Sequence, residues 1–156
     1  MKPDFIFESV ASLTEEFYLK NKIEAVIFDI DDTLCPHGAK TPSELCEKTV
    51  AAAKNAGVKV CFISNNKEER DFFFTPIKRN AKKPSKKGYK ELLKEINVLP
   101  ENALAVGDQL FTDMLGAKSA GIRFTLVKPI SNYKNPIIFV KRILEKPFLK
   151  SYRRNK

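Results

Sequence analysis

The sequence predicts an α/β fold, an open and mostly parallel sheet with helices on both faces, on three observations. First, short runs rich in Val, Ile or Phe recur at Ile23–Phe28, Val58–Ile63, Ala103–Val106 and Ile122–Val127. They are nearly continuous in apolar character, as befits parallel strands covered on both sides. Second, helical patterns separate them, so that strand and helix alternate along the chain. Third, the connections are short and no internal repeat or low-complexity linker interrupts them. A chain of 156 residues with 43% apolar content supports one buried core, so residues 1–156 are expected to form one domain with a basic tail from about residue 129.

The elements follow in order. Thr14 caps a short helix starting at Glu15. Thr41-Pro42-Ser43-Glu44 reads as a capping box with proline at the first helical position, and Gly57 supplies the stop. Asn66 with Glu69 marks the start of a further helix, in which Phe72, Phe73 and Phe74 would form a buried face. Ser85–Asn97 and Phe111–Ala120, the latter closed by Gly121, supply two more. In the tail, Asn135-Pro136 opens a helix through about Lys146, and Pro147 should stop it.

Composition excludes several classes. The longest apolar runs, Ala25–Phe28 and Ile137–Val140, fall far short of the roughly 20 residues that span a bilayer. The start of the chain mixes Asp4, Glu8, Glu15 and Glu16 with its hydrophobes, unlike an export signal. Cys35, Cys46 and Cys61 have no Cys-x-x-Cys spacing and are expected to be reduced cytosolic thiols, giving a cytoplasmic protein. The net charge of +9 is uneven. Lys78–Lys90 carries +7 and Lys128–Lys156 carries +8, which leaves −6 on the rest. An acidic body with two basic segments suits an anionic partner, although solvated surface lysines would give the same count.

The polar residues that end three predicted strands are Asp29, Ser64 and Asp108, and a parallel sheet brings such residues to one edge. The first strand runs into Asp29-Ile30-Asp31-Asp32-Thr33. Carboxylates this crowded repel one another unless a cation is bound. A hard, oxygen-seeking ion such as Mg2+ answers that need, with Asp108 and Asp113 as further donors.

These residues resemble the haloacid dehalogenase superfamily motif by motif. Asp29, Asp31 and Thr33 match its Asp-x-Asp-x-Thr after a strand, and Ser64 in Phe62-Ile63-Ser64-Asn65 matches its Ser or Thr. Lys83 in Ala81-Lys82-Lys83-Pro84 matches its lysine, and Gly107-Asp108-Gln109-Leu110-Phe111-Thr112-Asp113 matches its acidic pair. All four occur in order at compatible strand ends. The resemblance runs from about Ile23 to Val127 and is closest to the small YqeG-like group, related to mitochondrial phosphatidylglycerophosphate phosphatases. Asp32 departs from it, since that group usually has Asn there.

The resemblance implies a Mg2+-dependent phosphatase without a large cap domain. Asp29 would be the nucleophile and Asp31 the general acid and base. Mg2+ would be held by Asp29, Asp108 and the main-chain carbonyl of Asp31. Ser64, Asn65 and Lys83 would bind phosphate, while Thr33 and Asp113 support the shell. Lys82 and Lys86 stand beside Lys83 as alternatives for the lysine, and His37 reads as a loop residue. Three functions stay open: a phosphatase acting on a phospholipid headgroup such as phosphatidylglycerophosphate, a nucleotide or nucleic-acid end phosphatase, and a non-catalytic phosphate- or nucleic-acid-binding module. The tail, with Ile137, Ile138, Val140, Ile143 and Leu144 beside Lys141, Arg142 and Lys146, would either dock on the domain or make peripheral contact with an anionic membrane. No protein partner is legible.

Overall fold

The computed structural model describes residues 1–69, 76–131 and 143–151. Six parallel strands form one sheet: β1 (Phe5–Phe7), β2 (Ala25–Asp29), β3 (Lys59–Ile63), β4 (Ile77–Lys78), β5 (Ala103–Gly107) and β6 (Arg123–Val127). Their spatial order is β1-β6-β5-β2-β3-β4. From central β2 the chain moves to β3 and β4 on one side, then returns to β5 on the other. This reversal of direction opens a crevice at the carboxyl ends of β2 and β5, where open α/β sheets bind ligands.

The strict alternation of strand side chains sorts the apolar runs onto two faces. Val26, Phe28, Val60, Phe62, Leu104 and Val106 face one way, against Tyr18, Cys46 and Ala53 of helices α1 (Glu15–Lys20) and α2 (Glu44–Asn55). Ala25, Ile27, Cys61, Ile63, Ala103, Ala105 and Phe124 face the other way. They pack on Tyr89, Leu92, Leu93 and Ala117 of helices α3 (Lys87–Ile96) and α4 (Leu115–Ser119). Each large side chain so buried contributes about 1.5–3 kcal/mol, and the continuous apolar character of β2 and β5 reflects burial on both sides. The three cysteines are buried free thiols. Among the described residues no helix is long and apolar enough to cross a membrane.

Four differences from the expected elements have physical causes. The edge strand β1 pairs with β6, and its Phe5 and Phe7 pack edge-on against Phe17 with ring centroids 5.1 and 5.4 Å away. Three residues are too few to give a periodic signal. Helix α2 is capped by Ser43, whose Oγ accepts from Cys46 N at 3.2 Å, so Thr41 and Pro42 lie outside it. No helix begins at Asn66. Its side chain closes a turn by accepting from Glu68 N at 3.0 Å, and its carbonyl accepts from Asn80 N. Phe72, Phe73 and Phe74 lie outside the described residues.

The fourth difference is Pro147, which does not stop the tail helix. Residues 143–151 are helical through Pro147, although proline lacks the N–H that would bond one turn back and its ring crowds the carbonyl there. Most of the expected Asn135–Lys146 helix lies outside the described residues. Thr14 does cap α1, accepting from Phe17 N at 3.2 Å. Thr14→Ala and Ser43→Ala should each lower unfolding free energy by about 1 kcal/mol, measured by urea denaturation, with m unchanged.

Candidate active site

Asp29 is the last residue of β2, Asp108 follows β5, and Ser64 follows β3. Parallel pairing sets Asp29 opposite Ile63 and Phe28 opposite Val106, so the three polar residues reach the same edge of the sheet. Lys83 comes from the loop after β4. It is buried, unlike exposed Lys82 and Lys86. Its ammonium donates to Asp29 Oδ1 and, at 2.6 Å, to Asp113 Oδ1. Thr33 Oγ1 lies 3.1 Å from Asp29 Oδ2 and 3.3 Å from Asp108 Oδ1, and its single proton serves one at a time.

Asp113 stands in a turn of π-helix, Leu110–Met114, that leads into α4. This turn replaces the first half of the expected Phe111–Ala120 helix. Asp113 Oδ2 accepts from Gln109 N at 3.1 Å, and Tyr89 Oη donates to the Asp113 carbonyl at 3.2 Å. Gly107 makes the approach available, because a Cβ there would lie 2.5 Å from that of Asp113. Neither Tyr89 nor Gly107 stood out as a site residue by sequence.

Burial pushes the Asp29 carboxyl up to about 7, against the opposing pull of Lys83. For Lys83 burial acts downward, but Asp113 and Asp29 more than offset it and hold the ammonium well above its ordinary value. The two effects pull the ion pair opposite ways, and the charged lysine is the firmer conclusion, since two carboxylates face it. Burial also raises the Tyr89 phenol, which stays a proton donor.

Carboxylate oxygens of Asp29, Asp108 and Asp113 lie within 4.8 Å of one another, all buried. Three buried carboxylates around one ammonium leave an excess of negative charge, and the donors are hard oxygens. This set fits Mg2+ and would hold Asp29 ionised.

The other expected site residues lie around this cluster. The Asp31 side chain is 16% exposed against 7% for Asp29. It stands at the rim, where its Oδ1 accepts from Gly38 N at 3.2 Å and lies 3.7 Å from His37 Nδ1. Ser64 Oγ accepts from Asn66 N at 3.0 Å, which leaves its hydroxyl hydrogen to donate. The Asn65 side chain contacts the backbone of Lys83. Its Oδ1 accepts from Lys83 N at 2.7 Å and its Nδ2 donates to the Lys83 carbonyl at 3.3 Å, so it fixes the lysine's backbone. Glu145 was not foreseen at all. It is buried, and its Oε1 accepts from Leu110 N at 2.8 Å and Phe111 N at 3.2 Å.

Residues 80–129, which hold Lys83, Asp108 and Asp113, match the HAD-hydrolase-like family. The chain is 27% identical to "Probable phosphatase YqeG" of Bacillus subtilis (strain 168), over 97% of this chain and 91% of that one. The chain is thus similar in sequence to phosphatases of the haloacid dehalogenase type. A segment covering 35% of it is 42% identical to glyceraldehyde 3-phosphate phosphatase of Pyrococcus furiosus, spanning 25% of that enzyme. A superfamily hydrolase of Geobacter sulfurreducens shares the fold with a TM-score of 0.50 at 16% identity, covering 71% of this chain and 90% of that one. Among the described residues the stretch from β2 to β3 holds only a loop and α2.

Asp32 is buried with positive φ (62°). Its Oδ1 accepts from His37 N at 3.2 Å, while its buried Oδ2 has no hydrogen-bond partner. Asn tolerates that backbone well and carries no charge. Asp32→Asn should therefore raise unfolding free energy by about 1 kcal/mol with turnover retained, as checked by denaturation and assay of the same preparation.

Proposed function

We propose that this phosphatase hydrolyses phosphomonoesters through a phosphorylated Asp29. The observation that carries the reading is the buried Lys83 ammonium bridging Asp29 and Asp113, beside Asp108 at the carboxyl edge of the sheet. Asp29 and Asp108, with the Asp31 carbonyl and the supporting Asp113, would hold Mg2+. The bound ion would shield the anionic nucleophile from the anionic substrate. An Asp29 oxygen attacks phosphorus as the bond to the leaving oxygen breaks, and Asp31 gives that oxygen its proton. Water then attacks phosphorus, Asp31 takes its proton, and inorganic phosphate leaves as Asp29 is restored. Lys83 offsets negative charge on the phosphoryl group, and the Ser64 hydroxyl donates to one of its oxygens. The position of Asp31 favours its role, since it stands two residues beyond the enclosed nucleophile and nearer to solvent.

Asp29→Asn should abolish turnover and acid-stable labelling of the protein by a labelled substrate, with the circular dichroism spectrum unchanged. Residual turnover near the native rate would sink the reading. Asp31→Asn should lower kcat/KM, which reports formation of the phosphoenzyme, by about 10²–10⁴-fold for an alkyl phosphate and much less for p-nitrophenyl phosphate, because in that step only the poor leaving group needs the proton. Equal losses would remove Asp31 from that role.

A second reading, of where the enzyme acts, rests on the tail. Ile143, Leu144 and Phe148 are exposed beside exposed Lys146 and Lys150, a composition suited to an anionic bilayer surface and to a phospholipid substrate such as phosphatidylglycerophosphate. Each lysine near such a surface contributes about 1 kcal/mol at low salt. The protein should co-sediment with phosphatidylglycerol vesicles and not with neutral ones, and salt should release it. Failure to bind at low salt would remove this reading and leave the hydrolase reading untouched.

A further inference from the structure

The helical segment 143–151 is a roof over part of the sheet's carboxyl edge. Glu145, 2% exposed, ties it to the backbone N–H groups of Leu110 and Phe111. Phe148 meets Phe111 edge-on at 5.9 Å, and Leu149 packs on the core beside Ile6. Beneath this roof lies a partly open pocket of about 220 Å³, lined mainly by the apolar surface of Ile6, Phe7, Leu126, Val127 and Leu149, with Asp108, Lys128, Glu145 and Lys146 also reaching it. An apolar cavity of roughly 150 Å³ already admits benzene, so this one has room for about six carbons.

Its position decides what it is for. Asp108 belongs both to this wall and to the carboxylate cluster around Asp29, so the cavity adjoins the site where phosphorus would react. We propose that the cavity is a leaving-group subsite, and that the enzyme acts on phosphomonoesters whose alcohol is a hydrocarbon chain of about six carbons. This rests on the hydrolase reading above, but not on the membrane reading. The phosphoryl group sits at Asp29 and Lys83, while the first carbons of the alcohol pass Asp108 and turn under Leu149. A hydroxylated alcohol of the same length gives up more hydration where it meets the apolar part of the wall.

The test is a series of n-alkyl phosphates from methyl to hexyl, with glycerol 3-phosphate as the hydroxylated counterpart of the propyl ester. Alkyl leaving groups differ little in basicity, so the series reports burial of the chain. We expect kcat/KM to rise about fourfold per methylene up to hexyl, and propyl phosphate to exceed glycerol 3-phosphate at least tenfold. A flat series, or a preference for glycerol 3-phosphate, overturns the subsite while leaving the hydrolase reading standing. Hydrolysis of no ester at all would sink the hydrolase reading.

Binding can be read apart from turnover by titrating hexan-1-ol against the methyl resonances of Leu126, Val127 and Leu149. Shifts confined to these residues support the subsite, and no shift overturns it. Leu149→Trp, which fills the cavity, should collapse the hexyl-to-methyl ratio at least tenfold. Leu149→Ala, which enlarges it, should move the optimum to a longer chain. Unchanged ratios in both folded variants would also overturn the proposal.

Discussion

The site depends on one ammonium held between two buried carboxylates. Taking charges out of water costs several kcal/mol per ion, and attraction repays it only where geometry is tight and remaining polar groups are satisfied. Around Lys83 they are. The Asn65 side chain holds the lysine's backbone from both sides, Gln109 N occupies the second oxygen of Asp113, and Tyr89 ties down the Asp113 carbonyl. The lack of a side chain at Gly107 lets Asp113 come close to β5. Breaking any of these contacts loosens the lysine, and with it the compensation for Asp29.

The sheet exists in the form that makes this contact available. Asp29 and Asp108 end neighbouring strands because β5 returns to the far side of β2 after β3 and β4 have been laid down. Lys83 enters from the opposite side of β2, from the loop after edge strand β4. Residues widely separated along the chain thus meet at the one place where successive connections diverge. The same divergence leaves space for a ligand.

Much of this was legible because it is tied to strand ends. A doubly covered strand announces itself by an unbroken apolar run, and a carboxylate at its end is conspicuous. That is why Asp29 and Asp108 could be placed at one edge, whereas Lys83 differs from Lys82 and Lys86 in its burial, which a run of lysines does not display. Local hydrogen-bond chemistry was less decisive. Asn66 has the signature of a helix start but satisfies a turn, and Ser43 captures the cap expected of Thr41. Contacts made at long range left no trace. Nothing in the Lys-rich tail distinguishes Glu145 from a solvated acid, because its partners, Leu110 N and Phe111 N, are more than thirty residues away. Strand β1 was hidden by its length, and its sheet partner is at the other end of the fold.

The sharpest consequence of the geometry is the separation of two carboxylates that the sequence places almost side by side. Asp29 is enclosed, faced by an ammonium and by the Thr33 hydroxyl, so its charge is held by fixed groups that water cannot replace. Asp31 lies at the rim, steadied by Gly38 N with His37 nearby, where a proton can pass to and from solvent. A nucleophile gains from the first environment, since its partners are already oriented when charge begins to move. An acid that must later act as a base gains from the second, since its two proton transfers run in opposite directions within one turnover. Two aspartates of identical chemistry thus receive two environments from one strand ending and one loop beginning, the division that the proposed roles require.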